Sequence, residues 1–138
     1  MPTLNPIDEN KLKERTKQFG LRIIRLISNL PKSIEGRTIA NQLMRAGVSV
    51  GANYRAACRA RSTIEFISRL GIVEEEADKS AFWLEMIIES KLMKKVLVEP
   101  LLKEANELVA IMTASIKSAR ARSSQSKIQN PKSKIYHR

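Results

Sequence analysis

Helical periodicity from Ile7 to Ala119 marks an all-α protein, read here as an antiparallel up-and-down four-helix bundle. Three observations carry that reading. Apolar residues recur three and four apart in four successive stretches, short segments with helix-stopping or helix-starting residues join them, and no stretch competes with the two-residue alternation of a strand. A chain of 138 residues suits one domain with a single core.

The first stripe is Leu12, Thr16, Phe19, Ile23, Ile27 and Leu30, on a helix from about Ile7 to Asn29 that Pro31 helps to stop. The second is Ile39, Leu43, Ala46, Val50, Asn53 and Ala57, ending near Arg59. The third helix opens on Ser62 with Glu65 three residues on, the reciprocal capping pair that satisfies exposed amides. Its stripe is Phe66, Leu70, Val73, Ala77, Ala81, Leu84 and Ile88. The fourth places Pro100 in its first turn, where a missing amide hydrogen costs little, and continues through Leu101, Ala105, Leu108, Met112, Ile116 and Ala119. Residues 1–6 read as an extension, 7–121 as the bundle and 122–138 as a disordered tail, in which Ser126-Lys127-Ile128 returns as Ser133-Lys134-Ile135.

No run of about 18 uncharged residues and no secretion core is present, and one cysteine, Cys58, makes no internal disulfide. These features predict a cytoplasmic protein without a membrane partner. The net charge of +11 attracts polyanions, although the stretch from Arg120 onward holds six bases and no acid. Projecting the second helix at about 100° per residue places Arg37, Arg45, Arg55 and Arg59 away from its core stripe, beside Ala52 and Ala56. Two readings fit this face: a solvated cationic surface, or guanidinium groups that hold phosphate oxygens. Tyr54 is the aromatic closest to these arginines along the chain and the one available to stack on a base.

The third helix carries Ile72, Phe82, Trp83, Met86 and Ile87 outside its stripe, which predicts a subunit interface, because one bundle core cannot bury both sides of a helix. Glu74 projects near the core and is expected to pair with a basic group or with Asn53. Catalytic chemistry finds little support. A bundle metal site needs Glu-x-x-His pairs on facing helices, and the one histidine is His137 in the tail. Cys58 has no histidine base, and Gly47 and Gly51 lack the Lys-Ser or Lys-Thr ending of a phosphate loop, so their expected use is close helix packing. No cofactor, metal or enzymatic activity is predicted.

The run SVGANYRAACRARSTIEFISRLGIVEEEADKSAFWLEMI, with LKERTKQFGLRIIRLI before it and VEPLLKEANELVAI after it, resembles the bacterial four helix bundle protein family. That family includes proteins encoded by intervening sequences of large-subunit ribosomal RNA genes and is similar to the accessory variability determinant of diversity-generating retroelements. Ser49, Gly51, Ala52, Asn53, Arg59, Ser62, Glu65 and Phe66 fall in the family's order and spacing. The resemblance implies a ring-like homo-pentamer with a basic surface. Its accessory members bind nucleic acid and a reverse transcriptase, which here points to Arg55, Arg59 and Arg61, while Asn53, Ser62 and Glu65 take structural roles. Where many relatives carry Ile-Ala-Glu-Gly after the asparagine, this chain has Tyr54-Arg55-Ala56-Ala57, which sets it in a different branch.

The functional expectation is a non-enzymatic, homo-oligomeric bundle that binds RNA or DNA through Arg45, Arg55, Arg59 and Arg61. It would act beside a reverse transcriptase or in connection with ribosomal RNA intervening sequences. The alternative is an oligomeric protein scaffold whose charge serves solubility.

Overall fold

A computed structural model describes residues 6–129 of the chain, with side chains from 8 to 125. Its helices are α1 (Pro6–Ile27), α2 (Ile34–Cys58), α3 (Thr63–Glu89) and α4 (Lys95–Gln129), with no strand among the described residues. Each start and stop has a local cause. Ser33 caps α2 by accepting from the Gly36 amide at 3.1 Å. At α3 the Ser62 hydroxyl accepts from the Glu65 amide at 3.1 Å, while Glu65 reaches back to the Arg61 amide at 2.8 Å. α3 ends in a Schellman turn, in which Leu92 N–H donates to the Ile87 carbonyl and Lys91 N–H to that of Ile88, both at 3.1 Å. Lys91 takes the left-handed position there, at φ 61°.

The helices pack in chain order, α1 on α2, α2 on α3 and α3 on α4. Their stripes meet in one core that includes Phe19, Ile23, Leu43, Val50, Leu70, Leu84, Leu108 and Met112, all with no exposed surface. The buried Thr16 and Ser80 hydroxyls are satisfied within their own helices: Thr16 donates to the Leu12 carbonyl at 2.7 Å and Ser80 to that of Glu76 at 2.8 Å. The α1–α2 seam is the one that needs glycine. A Cβ on Gly47 would lie 2.7 Å from Ile23 Cγ1, and one on Gly51 would lie 3.2 Å from the Thr16 backbone. The expected close packing at Gly47 and Gly51 is therefore present. α1 and α4 meet over the smallest part of their length. There Arg15 grips Glu104 through two hydrogen bonds of 2.7 and 2.8 Å and Glu107 through one of 2.8 Å, and these acceptors raise the Arg15 pKa, Glu104 foremost.

Several expectations need correction. Tyr54 replaces Asn53 in the core stripe: the ring has no exposed surface, whereas Asn53 is half-buried and donates to the Ser49 carbonyl at 2.8 Å. A step of four from Val50 is as helical as a step of three, and the larger apolar ring gains more from burial than an amide would. Ile87 belongs to the core at 0% exposure and not to an outer face, while Ile88 is only half-buried; from Leu84 a step of three is as helical as a step of four. Glu74 accepts a hydrogen bond from Thr113 of α4 and not from Asn53. Pro100 is the sixth residue of α4, past the first turn. The missing amide would have served the carbonyl of exposed Val96, which water can solvate. Finally, α4 runs on through Arg122 to Gln129, so the boundary at residue 121 falls within a helix. The second copy of the tail repeat lies outside the described residues.

Candidate nucleic-acid interface

α2 carries the candidate contact residues on the side turned from the core. Arg37, Arg45, Arg55 and Arg59 are exposed, as is Arg61 in the turn that follows. From Arg45 to Arg59 the row spans about 21 Å of helix. Arg55 stands in the last turn and Arg59 is the C-cap, where positive charge complements the helix's negative end. Among the described residues no ion pair or hydrogen bond engages the guanidinium of Arg45, Arg55, Arg59 or Arg61. The nearby acids are otherwise occupied: Glu65 accepts from the Arg61 amide and lies 3.7 Å from Arg69, and Glu76 lies 3.4 Å from Lys79. Arg15, by contrast, is held by two carboxylates on α4.

The two sides of this row differ. Toward α3, Arg45 lines a groove of about 330 Å³ with Gln42, Ala46, Ser49, Glu76, Lys79 and Trp83. Toward α1, Arg55 lines a shallower groove of about 230 Å³ with Lys17, Leu21, Ile24 and Val48 over a floor of Gly20 and Gly51. Lys17 and the grouping of Trp83 with Arg45 were not foreseen, because each joins two helices and the periodicity of one helix carries no signal for it. Tyr54 is enclosed and cannot stack on a base. Its hydroxyl has no hydrogen-bond partner of normal geometry, and burial pushes its pKa up. The Cys58 thiol beside it is likewise raised by burial.

Of the residues assigned to an outer interface, Ile72, Phe82 and Met86 are exposed at 37%, 52% and 39%. Trp83 is half-buried against the core and meets Phe82 edge to face, centroids 5.0 Å apart. Charge is unevenly shared. α3 holds seven acids and two bases, whereas α2 and its following turn hold five bases and one acid. Among the described residues no cluster of three or more His, Cys, Asp or Glu forms a metal-ligand set, and no helix is long and apolar enough to cross a membrane.

A structural comparison finds similarity to the crystal structure of a protein of unknown function from the S23 ribosomal protein family of Bacteroides thetaiotaomicron. The TM-score is 0.72 at 29% identity, covering 77% of this chain and 98% of that one. Curated proteins give no match. The model of the family described as 23S rRNA-intervening sequence protein matches residues 8–114, most of the chain and all but the last part of α4. With that match and the shared four-helix fold, the chain belongs to the 23S rRNA-intervening sequence protein family.

Proposed function

We propose that this protein acts without catalysis, as a homo-oligomeric bundle that holds RNA or DNA by its phosphates, with Arg45, Arg55, Arg59 and Arg61 as the contacts. The observation that carries the reading is the row of exposed guanidinium groups without carboxylate partners, in a molecule that elsewhere pairs an arginine tightly. A planar guanidinium holds two phosphate oxygens at once. Trp83 beside Arg45 supplies an aromatic surface within the same groove, in place of Tyr54. A role beside a reverse transcriptase is a further part of the proposal, as is a ring of five subunits; both rest on the resemblance alone. RNA is the first polyanion to test, given the family's description.

The test is binding of unrelated RNAs and DNAs across a salt series by the chain with Arg55, Arg59 and Arg61 changed to Gln. Each lost phosphate contact removes roughly 0.7 to 0.9 from the slope of log affinity against log salt. The expected result is an equal loss for all sequences with a flatter slope, both in the full chain and in a chain ending at residue 123. Unchanged affinity and slope sink the arginine site. They favour instead an oligomeric protein scaffold, the reading that exposed Ile72, Phe82 and Met86 support.

A further inference from the structure

The seam between α1 and α4 is filled by charge along one stretch and open along the next. Beyond the grip of Arg15 on Glu104 and Glu107, the helices part into a groove of about 570 Å³. Arg22 and Arg25 line it together with the apolar side chains of Leu26, Met93, Leu97 and Leu101. Asn29 lines it as well and donates to the Arg25 carbonyl at 3.2 Å.

The register explains why the groove is open. Arg22 follows Arg15 by seven residues, two helical turns, and so repeats its position on the face of α1 that meets α4. The same step back along α4 leads from Glu104 to Leu97 and from Glu107 to Pro100, both of which line the groove. Where Arg15 meets two carboxylates, Arg22 meets hydrocarbon. Among the described residues no ion pair or hydrogen bond engages the guanidinium of Arg22 or Arg25. The acids along these helices are held elsewhere: Glu14 accepts from Gln18 at 2.8 Å, Glu99 lies 3.5 Å from Lys95, and Glu104 and Glu107 hold Arg15. Glu35 and Glu89, at the same end of the bundle, do not line the groove, and exposed Lys94 and Lys103 on the α4 side add positive charge. Arg22 is half-buried, so its charge has lost part of its water without gaining a carboxylate.

We propose that the α1–α4 groove binds a small amphiphilic anion, an alkyl chain with a carboxylate or phosphate head, with the head on Arg22 and Arg25 and the chain along Leu26, Met93, Leu97 and Leu101. Guanidinium groups hold either head by paired hydrogen bonds, and the hydrocarbon floor selects a ligand with an apolar body. The volume of about 570 Å³ falls among small-molecule sites, which span about 300–1,000 Å³. The Arg15 clamp closes one end, so the groove stops after about 10 Å of α1 and a partner helix cannot run through it. Neither arginine belongs to the α2 row, and the inference stands apart from the nucleic-acid reading.

The test titrates the full chain with decanoate and with decyl phosphate by calorimetry, below their micelle concentrations, with circular dichroism as the folding control. Saturable binding is expected, tightening roughly two- to fourfold per methylene from hexanoate to decanoate. The tighter of the two heads identifies the source of the anion. Arg22→Gln with Arg25→Gln is expected to weaken binding about tenfold or more. Leu97→Glu, at a position 60% exposed, repeats the register of Glu104 and is expected to do the same by occupying Arg22. No saturable binding to the wild-type chain, or wild-type affinity in either folded variant, overturns the site. Decyltrimethylammonium binding as tightly as decanoate overturns the role of the arginines, and inorganic phosphate matching decyl phosphate overturns that of the apolar floor. An affinity that falls as chain concentration rises means that a second copy covers the groove, and overturns the small-anion reading. If the double arginine variant loses helicity, Leu97→Glu alone decides.

Discussion

Gly47 and Gly71 both sit in helix interiors, yet the structure gives alanine opposite effects at the two positions. At Gly71 an added Cβ meets nothing within 4 Å. Alanine there gains intrinsic helix propensity and loses no packing, so the expected change is stabilisation by about 0.5–1 kcal/mol. At Gly47 the same Cβ falls 2.7 and 2.9 Å from the two γ carbons of Ile23, a side chain with no exposed surface. Ile23 is β-branched and enclosed, so it has no free rotamer to turn into. Relief requires α1 and α2 to separate, at an overpacking cost of about 1–3 kcal/mol that the propensity gain of at most about 1 kcal/mol does not offset. The net expectation is destabilisation by about 1–2 kcal/mol. Urea denaturation followed by circular dichroism, at one fixed protein concentration, separates the two variants by opposite shifts of midpoint at similar m-value. Equal stabilisation by both alanines would refute the close α1–α2 approach and with it the origin of the groove over Gly20 and Gly51.

Further outcomes follow from individual contacts. Lys91→Gly should stabilise by about 0.5–1 kcal/mol, because a left-handed φ of 61° disfavours any side chain and glycine returns part of the gain as unfolded-chain entropy; no gain in a melting curve counts against the Schellman turn. Ser62→Ala should cost about 1 kcal/mol through loss of the cap on α3, read by chemical denaturation. Cys58, whose thiol is held protonated by burial, should react slowly with iodoacetamide in the folded protein and rapidly in denaturant. The sign of the pH effect follows from the same shift: the folded state keeps its proton where the unfolded chain releases it, so stability falls as pH rises above about 8.5. Denaturant midpoints that stay level from pH 7 to 10 contradict it. Removing residues 124–138 should leave the melting temperature nearly unchanged, since Ala119 is the last core residue of α4; a large drop would show that this segment docks on the bundle.

Four helices and most of the core were legible in the amino-acid order, because burial on one side of a helix imposes a spacing of three and four that a linear reading detects. The α4 stripe from Leu101 to Ala119 is buried throughout, and Ser62 with Glu65 mark the start of α3 as a local hydrogen-bond pattern can. Where a step of three and a step of four were both helical, as at Asn53 against Tyr54 or Ile87 against Ile88, neighbouring helices made the choice. The Lys91 turn escaped notice because its usual glycine is absent. The candidate site divides the same way. Exposure of Arg45, Arg55 and Arg59 follows from one helix's own geometry. The partner of Glu74 on α4, Trp83 beside Arg45, Lys17 beside Arg55 and the groove over Gly20 and Gly51 each join residues from two helices. Periodicity describes one helix at a time, and the rotation of each helix against its neighbours is set by how side chains fill the space between them.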